Sequence, residues 1–373
     1  MKFVFASDSF KGSLTCEKIN GILTETAKSV FPDCECVPLL IADGGEGTLE
    51  AVITQKHGKI VYTQAADPLG GKIPSRYGTF DNCALVCMSE ASGLPLVPTD
   101  KRSARYTTSY GTGELIRHAV ESGYKHIYVT LGGSATNDGG VGMLQALGYV
   151  FYDKDGNPCK GIGDELWKIA EIDDSNALDF SDIQITVLCD VSNPLLGATG
   201  ATYTYGRQKG ASDGDLAFLE KGMQNYAAVL EKKFGKSANV SGGGAAGGLG
   251  AALHTVFNAT IQSGIKTVLD LCDFETAVKG ASLVITGEGR VDFQSANGKV
   301  LDGVLSRANG VPVVAIAGSI GDGADLLFEK GLTAAFAIVN KPMQLEDALK
   351  NAETLYRQTA ENVFRLLASK FTI

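Results

Sequence analysis

The 373 residues carry 33 basic and 42 acidic side chains, a formal charge of −9, with 44% hydrophobic and 20% charged residues. At roughly 100–200 residues per domain this length holds two or three domains, and the composition excludes wholesale disorder. Basic residues never run longer than the pair Lys232–Lys233, which argues against a nucleic-acid partner or an anionic membrane surface. Glycine is the outlier at 46 residues, about 12% against a usual ~7%, without the Gly-x-y period of collagen. Many tight turns, or close approach of a ligand to backbone, are expected.

In chain order, the opening MKFVFASDSFKG lacks the apolar core of a signal peptide, and no apolar stretch is long enough to span a bilayer. A cytoplasmic protein with its eight cysteines reduced is therefore expected. Neither Cys34-x-Cys36 nor Cys83-x3-Cys87 has a second pair at zinc-site spacing. A first strand is predicted at 3–6, followed by the polar loop Ser7–Ser13. A helix follows, with Ile19, Ile22, Leu23, Ala27 and Val30 at its period and its end before Pro32. Further strands are predicted at 37–41, 84–88, 127–131, 185–189, 283–286, 313–317 and 334–339. The chain closes on a long amphipathic helix with Leu345, Leu349, Ala352, Leu355, Val363, Leu366 and Leu367 near one face, and the single Trp167 reads as core. Strands alternating with helical patterns imply βαβ units and a parallel sheet. The most regular units lie near both ends. The reading is therefore an α/β protein with one discontinuous domain from 1–65 and 281–373 and a second domain, 66–280, inserted between.

Ligands of open parallel sheets bind beyond the carboxyl ends of the strands, and polar residues gather there. Asp8, Ser9, Lys11 and Ser13 follow the first strand, and Asp43 and Glu46 lie in IADGGEGT after the second. Ser134, Asn137 and Asp138 follow 127–131, Asp190 and Asn193 follow 185–189, and Glu288, Arg290, Asp292 and Gln294 follow 283–286. Capping and turn chemistry account for any one such loop. Five in one chain favour a shared cleft. In GGSATNDGG (132–140), Gly132 and Gly133 permit backbone approach, and the following helix start suits phosphate. The run 241–253 contains Gly242-x-Gly244-x-x-Gly247, but no clear strand precedes it, so close packing or a hinge explains it as well as nucleotide binding does. No Walker A, protein-kinase or nucleophile-elbow motif occurs. The four histidines stand outside any motif and read as surface or packing residues.

Taken together the loops resemble the glycerate kinase type 1 family of bacterial enzymes over nearly the whole chain. The resemblance rests on DSFKGSL (8–14), ADGGEGT (42–48), LGGSATNDGGVGML (131–144), CDVSNPLLG (189–197), QKGA (208–211), GAAGGLGA (244–251), GIKTVLDL (264–271) and ITGEGRVDFQS (285–295). Ser7, Arg207 and Leu301 stand where the family often has proline. The resemblance implies ATP-dependent phosphorylation of D-glycerate with Mg²⁺, usually at the 2-hydroxyl. It also implies two α/β domains, one discontinuous and flavodoxin-like, with the active site between them, and a monomer or homodimer is expected.

Roles follow from the chemistry of phosphoryl transfer. Lys11 and Arg290, with Asp190, are the expected catalytic residues. Gly132, Gly133, Ser134, Asn137 and Asp138 are the expected phosphate or nucleotide loop. Asp8, Ser9, Ser13, Lys209 and Gln294 are expected on the substrate, and Asp43, Glu288 and Asp292 offer hard oxygens to Mg²⁺. Two rival readings stay open. One is another hydroxy-acid phosphotransferase, or a phosphatase or isomerase acting on a small phosphorylated acid. The other is a non-catalytic module binding a nucleotide or hydroxy acid.

Overall fold

The computed structural model describes residues 1–45, 47–296 and 298–369; Glu46, one of the expected loop residues, lies outside them. The main strands, in chain order, are β1 (Lys2–Ser7), β2 (Glu35–Pro38), β3 (Lys59–Ala66), β4 (Lys72–Phe80), β5 (Cys83–Cys87), β6 (His126–Thr130), β7 (Gln184–Leu188), β8 (Thr260–Gln262), β9 (Leu283–Gly287), β10 (Val313–Ala317) and β11 (Leu332–Ala337). The helices used below are α1 (Cys16–Val30), α2 (Tyr110–Glu121), α3 (Val141–Ala146), α4 (Asp213–Phe234), α5 (Val300–Arg307), α6 (Leu345–Lys350) and α7 (Ala352–Ala368). The chain divides into two compact units, one of Met1–Asp43, Glu50–Lys56 and Ile265–Ile373, the other of Gly44–Leu49 and His57–Gly264.

The first unit is built on a five-stranded sheet ordered β11-β10-β9-β1-β2, every pair parallel. Numbered within the unit, that is the 2-1-3-4-5 order of flavodoxin-like sheets, whose strand direction of travel reverses between the first and third strands. Here those are β1 and β9, paired from Phe3–Leu283 to Ser7–Gly287. Parallel strands covered on both faces need continuous apolar runs, and VVAIA of β10 is buried at every position. Thr15 caps α1, its hydroxyl accepting from the Lys18 amide at 3.3 Å. The helix buries Ile19, Ile22, Leu23 and Ala27 in one cluster with Phe3, Phe5 and Ile285 of the sheet and Tyr356, Val363 and Phe364 of α7.

The second unit holds a six-stranded sheet ordered β8-β7-β6-β5-β4-β3. Strands β5 to β8 run parallel, and β3 and β4 form an antiparallel hairpin on the edge. Its core gathers Ile127 and Val129 of β6, Val187 of β7, Leu115 of α2, Met143 of α3 and Tyr226 and Leu230 of α4.

The structure departs from the sequence reading at both limits of the inserted segment, in the closing helix and at Trp167, and the strands expected at 37–41 and 334–339 lie at 35–38 and 332–337. The inserted segment begins near 57 rather than 66, because β3 is hydrogen-bonded to β4 along its whole length. It ends near 264 rather than 280, because Ile265, Val268 and Leu269 are buried with the terminal halves, where Gly303 of α5 has no room for a Cβ beside Ile265. The closing helix is two helices that break at Asn351, and only α7 carries the buried face; Leu345, Leu349, Leu366 and Leu367 are exposed. Trp167 is 51% exposed rather than core, its ring beside the Lys168 ammonium.

Candidate active site

In the first unit a cavity of about 550 Å³ opens at the carboxyl edge of the sheet, where flavodoxin-like sheets bind their ligands. The loops after β1, β2, β9, β10 and β11 all reach it, and α6 with the start of α7 adds to its wall.

The loop after β1 is a tight turn. Phe10 and Leu14 exchange backbone hydrogen bonds of 2.8 and 3.0 Å across Gly12 at φ +79°. Phe10 is buried with its ring edge on Tyr356, centroids 5.5 Å apart. Anchoring Phe10 leaves Lys11 exposed at the cavity. Ser13 also lines the cavity, its hydroxyl donating to Phe10 O at 3.1 Å. At the other end of the turn, the Asp8 amide donates to Gly287 O at 2.8 Å, which fastens this loop to β9. The Asp8 carboxylate accepts from the Ser9 amide at 2.7 Å. Burial, then the Asp43 charge, pushes the Asp8 carboxyl up to about 7, against the pull of the Ser9 amide and Lys11.

The loop after β9 begins at Gly287, where a Cβ would stand 1.9 Å from Ile316 O. Only glycine fits there, and it sends Glu288 into the cavity. Glu288 is 7% exposed, and its Oε1 is buried with no hydrogen-bond partner. Lys299 Nζ stands 3.8 Å from its other oxygen. Burial raises the Glu288 carboxyl above its ordinary range, opposed by Ser295 and Lys299 and reinforced by Asp43 and Asp292. Arg290 lines the cavity with its side chain 69% exposed and its Nε 3.1 Å from Asp292 Oδ2. Asp8, Asp43 and Glu288 thus form an acidic patch facing Lys11, Arg290 and Lys299. Of the expected metal ligands, Asp292 is instead committed to its loop, taking Arg290 on one oxygen and the Gln294 amide, at 2.9 Å, on the other. Gln294 is exposed outside the cavity lining. Lys299, the last residue of the same loop and the one before α5, escaped the sequence reading.

The second unit brings another set of expected residues to its own carboxyl edge. Asp190, just past β7, accepts from Ser263 Oγ and the Gly264 amide, both at 2.8 Å. Gly44 lies close beside Asp190 and Gly264, and Gly132 lies close against Gly45, with no Cβ to separate them. Gly133 is exposed with φ +74°.

The remainder of the 132–140 loop differs from the phosphate cradle expected. Asn137 and Asp138 are fully buried. The Asp138 carboxylate accepts from Ser109 N and Oγ at 2.8 and 2.7 Å and from the Gly140 and Gly142 amides at 3.1 and 3.2 Å. The amides counted on for phosphate are therefore spent inside the chain, and α3 is only six residues long. Lys209 is 2% exposed and donates to Ser134 Oγ and Thr136 O, both at 2.7 Å, so it braces this loop from within. Burial pulls its amine down to about 7, with Asp138 pulling the other way. The 241–253 run is packing: a Cβ on Gly247 would meet Thr136 O at 2.0 Å, and one on Gly244 would meet Pro194 O at 2.2 Å. Arg207 is spent on Asp213, with Nη2 2.6 Å from Oδ1.

The model of the glycerate kinase family matches residues 3–368. The chain belongs to that family. It is 43% identical to a glycerate kinase of Haemophilus influenzae over the full length of both chains. It is 40% identical to the glycerate 2-kinase of Escherichia coli, over 99% of this chain and 98% of that one. A crystal structure from Salmonella typhimurium, provisionally named glycerate kinase 2, superposes with a TM-score of 0.88 at 41% identity, covering 98% of each chain. Among the described residues, no helix of this family member is long and apolar enough to cross a membrane.

Proposed function

We propose that the chain transfers the γ-phosphoryl group of ATP to the 2-hydroxyl of D-glycerate, giving 2-phospho-D-glycerate and ADP, and that the first unit's cavity is where this happens. Family membership supports the reaction class. The observation that carries the placement is the juxtaposition of buried Asp8 and Glu288 with Lys11, Arg290 and Lys299 at the β1/β9 switch point.

Phosphoryl transfer needs cations on the developing charge, a positioned hydroxyl and a proton acceptor. Lys11 and Arg290 supply the charge from two loops. Asp8 is the proton acceptor. As the glycerate oxygen bonds to the γ-phosphorus and the bond to the β-phosphate oxygen breaks, the hydroxyl proton passes to the Asp8 carboxylate. Ser9 and Ser13 donate to the acid, and Lys299 offers its carboxylate an ammonium.

The residues present also suit magnesium. Three carboxylates repel one another here, and one buried Glu288 oxygen has no partner. Hard oxygens in small number, with water completing the shell, are what this ion takes. Asp43 and Glu288 would hold it. Bound with ATP, it neutralises phosphate charge.

ADP release in a coupled assay is expected to require both D-glycerate and Mg²⁺. Release that proceeds at the same rate without glycerate would overturn the acceptor, and hydrolysis of phosphoglycerate without ATP would favour the phosphatase reading.

A further inference from the structure

Part of the cavity wall has no use for a small acid. Glycerate is a three-carbon acid with an oxygen on every carbon, and it offers nothing to an apolar surface. Yet Val339, Leu345, Ala348 and Leu349 line the same cavity as the charged loops. These side chains are not leftover core. Val339, Leu345 and Leu349 are 37%, 73% and 41% exposed, and α6 buries none of its residues. Leu345, Ala348 and Leu349 are spaced i, i+3, i+4, so they share one helix face. The break at Asn351 separates that face from the buried stripe of α7. The cavity of about 550 Å³ thus combines an exposed apolar strip with the cations Lys11, Arg290 and Lys299. Sites for small ligands pair an apolar wall with a few placed polar groups.

We propose that this strip is the base-binding wall of the nucleotide site: the purine of ATP lies on Val339, Leu345 and Leu349, and its phosphates extend to Lys11 and Arg290. A nucleoside triphosphate has this division, an apolar planar base at one end and multiple negative charge at the other. The inference rests on the reading of the chain as an ATP-dependent kinase and adds where, and by which residues, the nucleotide is held.

The test titrates ADP, and separately inorganic tripolyphosphate, into the full-length protein and into Leu349→Glu and Leu345→Ser by calorimetry with Mg²⁺ present. KM for ATP and for D-glycerate are measured alongside. Both positions are solvent-exposed, so both variants should keep the wild-type melting temperature. The expected result is ADP affinity weakened at least about tenfold in Leu349→Glu, a smaller loss in Leu345→Ser, and a matching rise in KM for ATP. Tripolyphosphate, which has no base, should bind Leu345→Ser as it binds wild type, and KM for glycerate should stay put. Wild-type ADP affinity in both folded variants would overturn the wall while leaving the kinase reading standing. A rise in KM for glycerate instead of ATP would also overturn it, since the strip would then serve the acceptor. A wild-type protein that neither binds ADP nor turns over would remove the kinase reading and this inference together.

Discussion

Glu288 shows what single residues contribute here. A carboxylate at 7% exposure with one unpartnered oxygen costs folding free energy unless something else compensates it. Lys299 at 3.8 Å is a weak partner. Such a group is best explained by a ligand or ion that completes it, and the loops that hold it also hold Lys11 and Arg290. If those two cations act on developing charge, Lys11→Ala and Arg290→Ala should fold normally and lose about 10²–10³ in kcat. An anchor for the glycerate carboxylate would raise KM instead. Unchanged kcat and KM in both variants would remove them from the site, as expected for surface charges worth only about ±0.5 kcal/mol. Lys209 tests a different role. Burial holds its amine down to about 7, so above that pH the unfolded chain carries a proton that the folded chain lacks. Its contribution to stability is complete above the unfolded pKa and is lost as pH falls through about 7. Asp138 works in the opposite sense: its raised carboxyl contributes most in acid and less as pH rises through its folded value. Between pH ~7 and ~8.5, below ordinary thiol titration, the denaturation midpoint of Lys209→Met relative to wild type should therefore fall with rising pH. A constant difference would show that the Lys209 amine is protonated throughout. That Asp8, Lys11, Asp43, Glu288 and Arg290 gather at the sheet edge was legible, because each follows a strand in a polar loop. The apolar strip was not, because Leu345 and Leu349 fit the same helical period as the true core residues Leu355 and Val363.

At the scale of elements, two kinds of signal behaved differently. Parallel strands must be apolar throughout, so β1, β9 and β10 announced themselves, with ends misplaced by a residue or so at most. The β3/β4 hairpin did not, because β3 is exposed or half-buried at all but one position and carries polar residues such as Lys59, Thr63 and Gln64. The helix α4 was also missed, although it begins with a capping box between Ser212 and Asp215 and ends at Gly235 in the left-handed region. Its buried residues Leu216, Leu219, Met223, Tyr226 and Leu230 lie at helical spacing, and that pattern was readable. The glycines of the loops divide in the same way. Their number was visible, but whether each serves a ligand or packing depends on which backbone comes near. Gly287 is decided by Ile316 O, 1.9 Å from where its Cβ would be. Gly287→Ala should push β9 from β10, cost about 1–3 kcal/mol of stability as overpacking does, and displace Glu288. A melting temperature and kcat both equal to wild type would contradict this account of the loop.

For the whole molecule, the net charge of −9 says little about its substrate. Two or three cations at the end of one sheet are enough for an anionic ligand, and they come from Lys11 at one end of the chain and from Arg290 and Lys299 near the other. The 2-1-3-4-5 strand order brings them together, since it sets the loop after the first strand beside the loop of a strand nearly 280 residues later. A discontinuous domain was readable from the regular units at both ends of the chain. Its limits were not, because segment 265–280 carries no composition break and is assigned by its packing alone. Phosphorus NMR of the products of wild type and Asp8→Asn, incubated with ATP, Mg²⁺ and D-glycerate, checks reaction and site together. Wild type should give 2-phosphoglycerate with equimolar ADP, and product formation should be slowed by about 10²–10⁴ in a folded Asp8→Asn protein. Formation of 3-phosphoglycerate alone would contradict the assigned hydroxyl, and undiminished product from Asp8→Asn would contradict the assigned site.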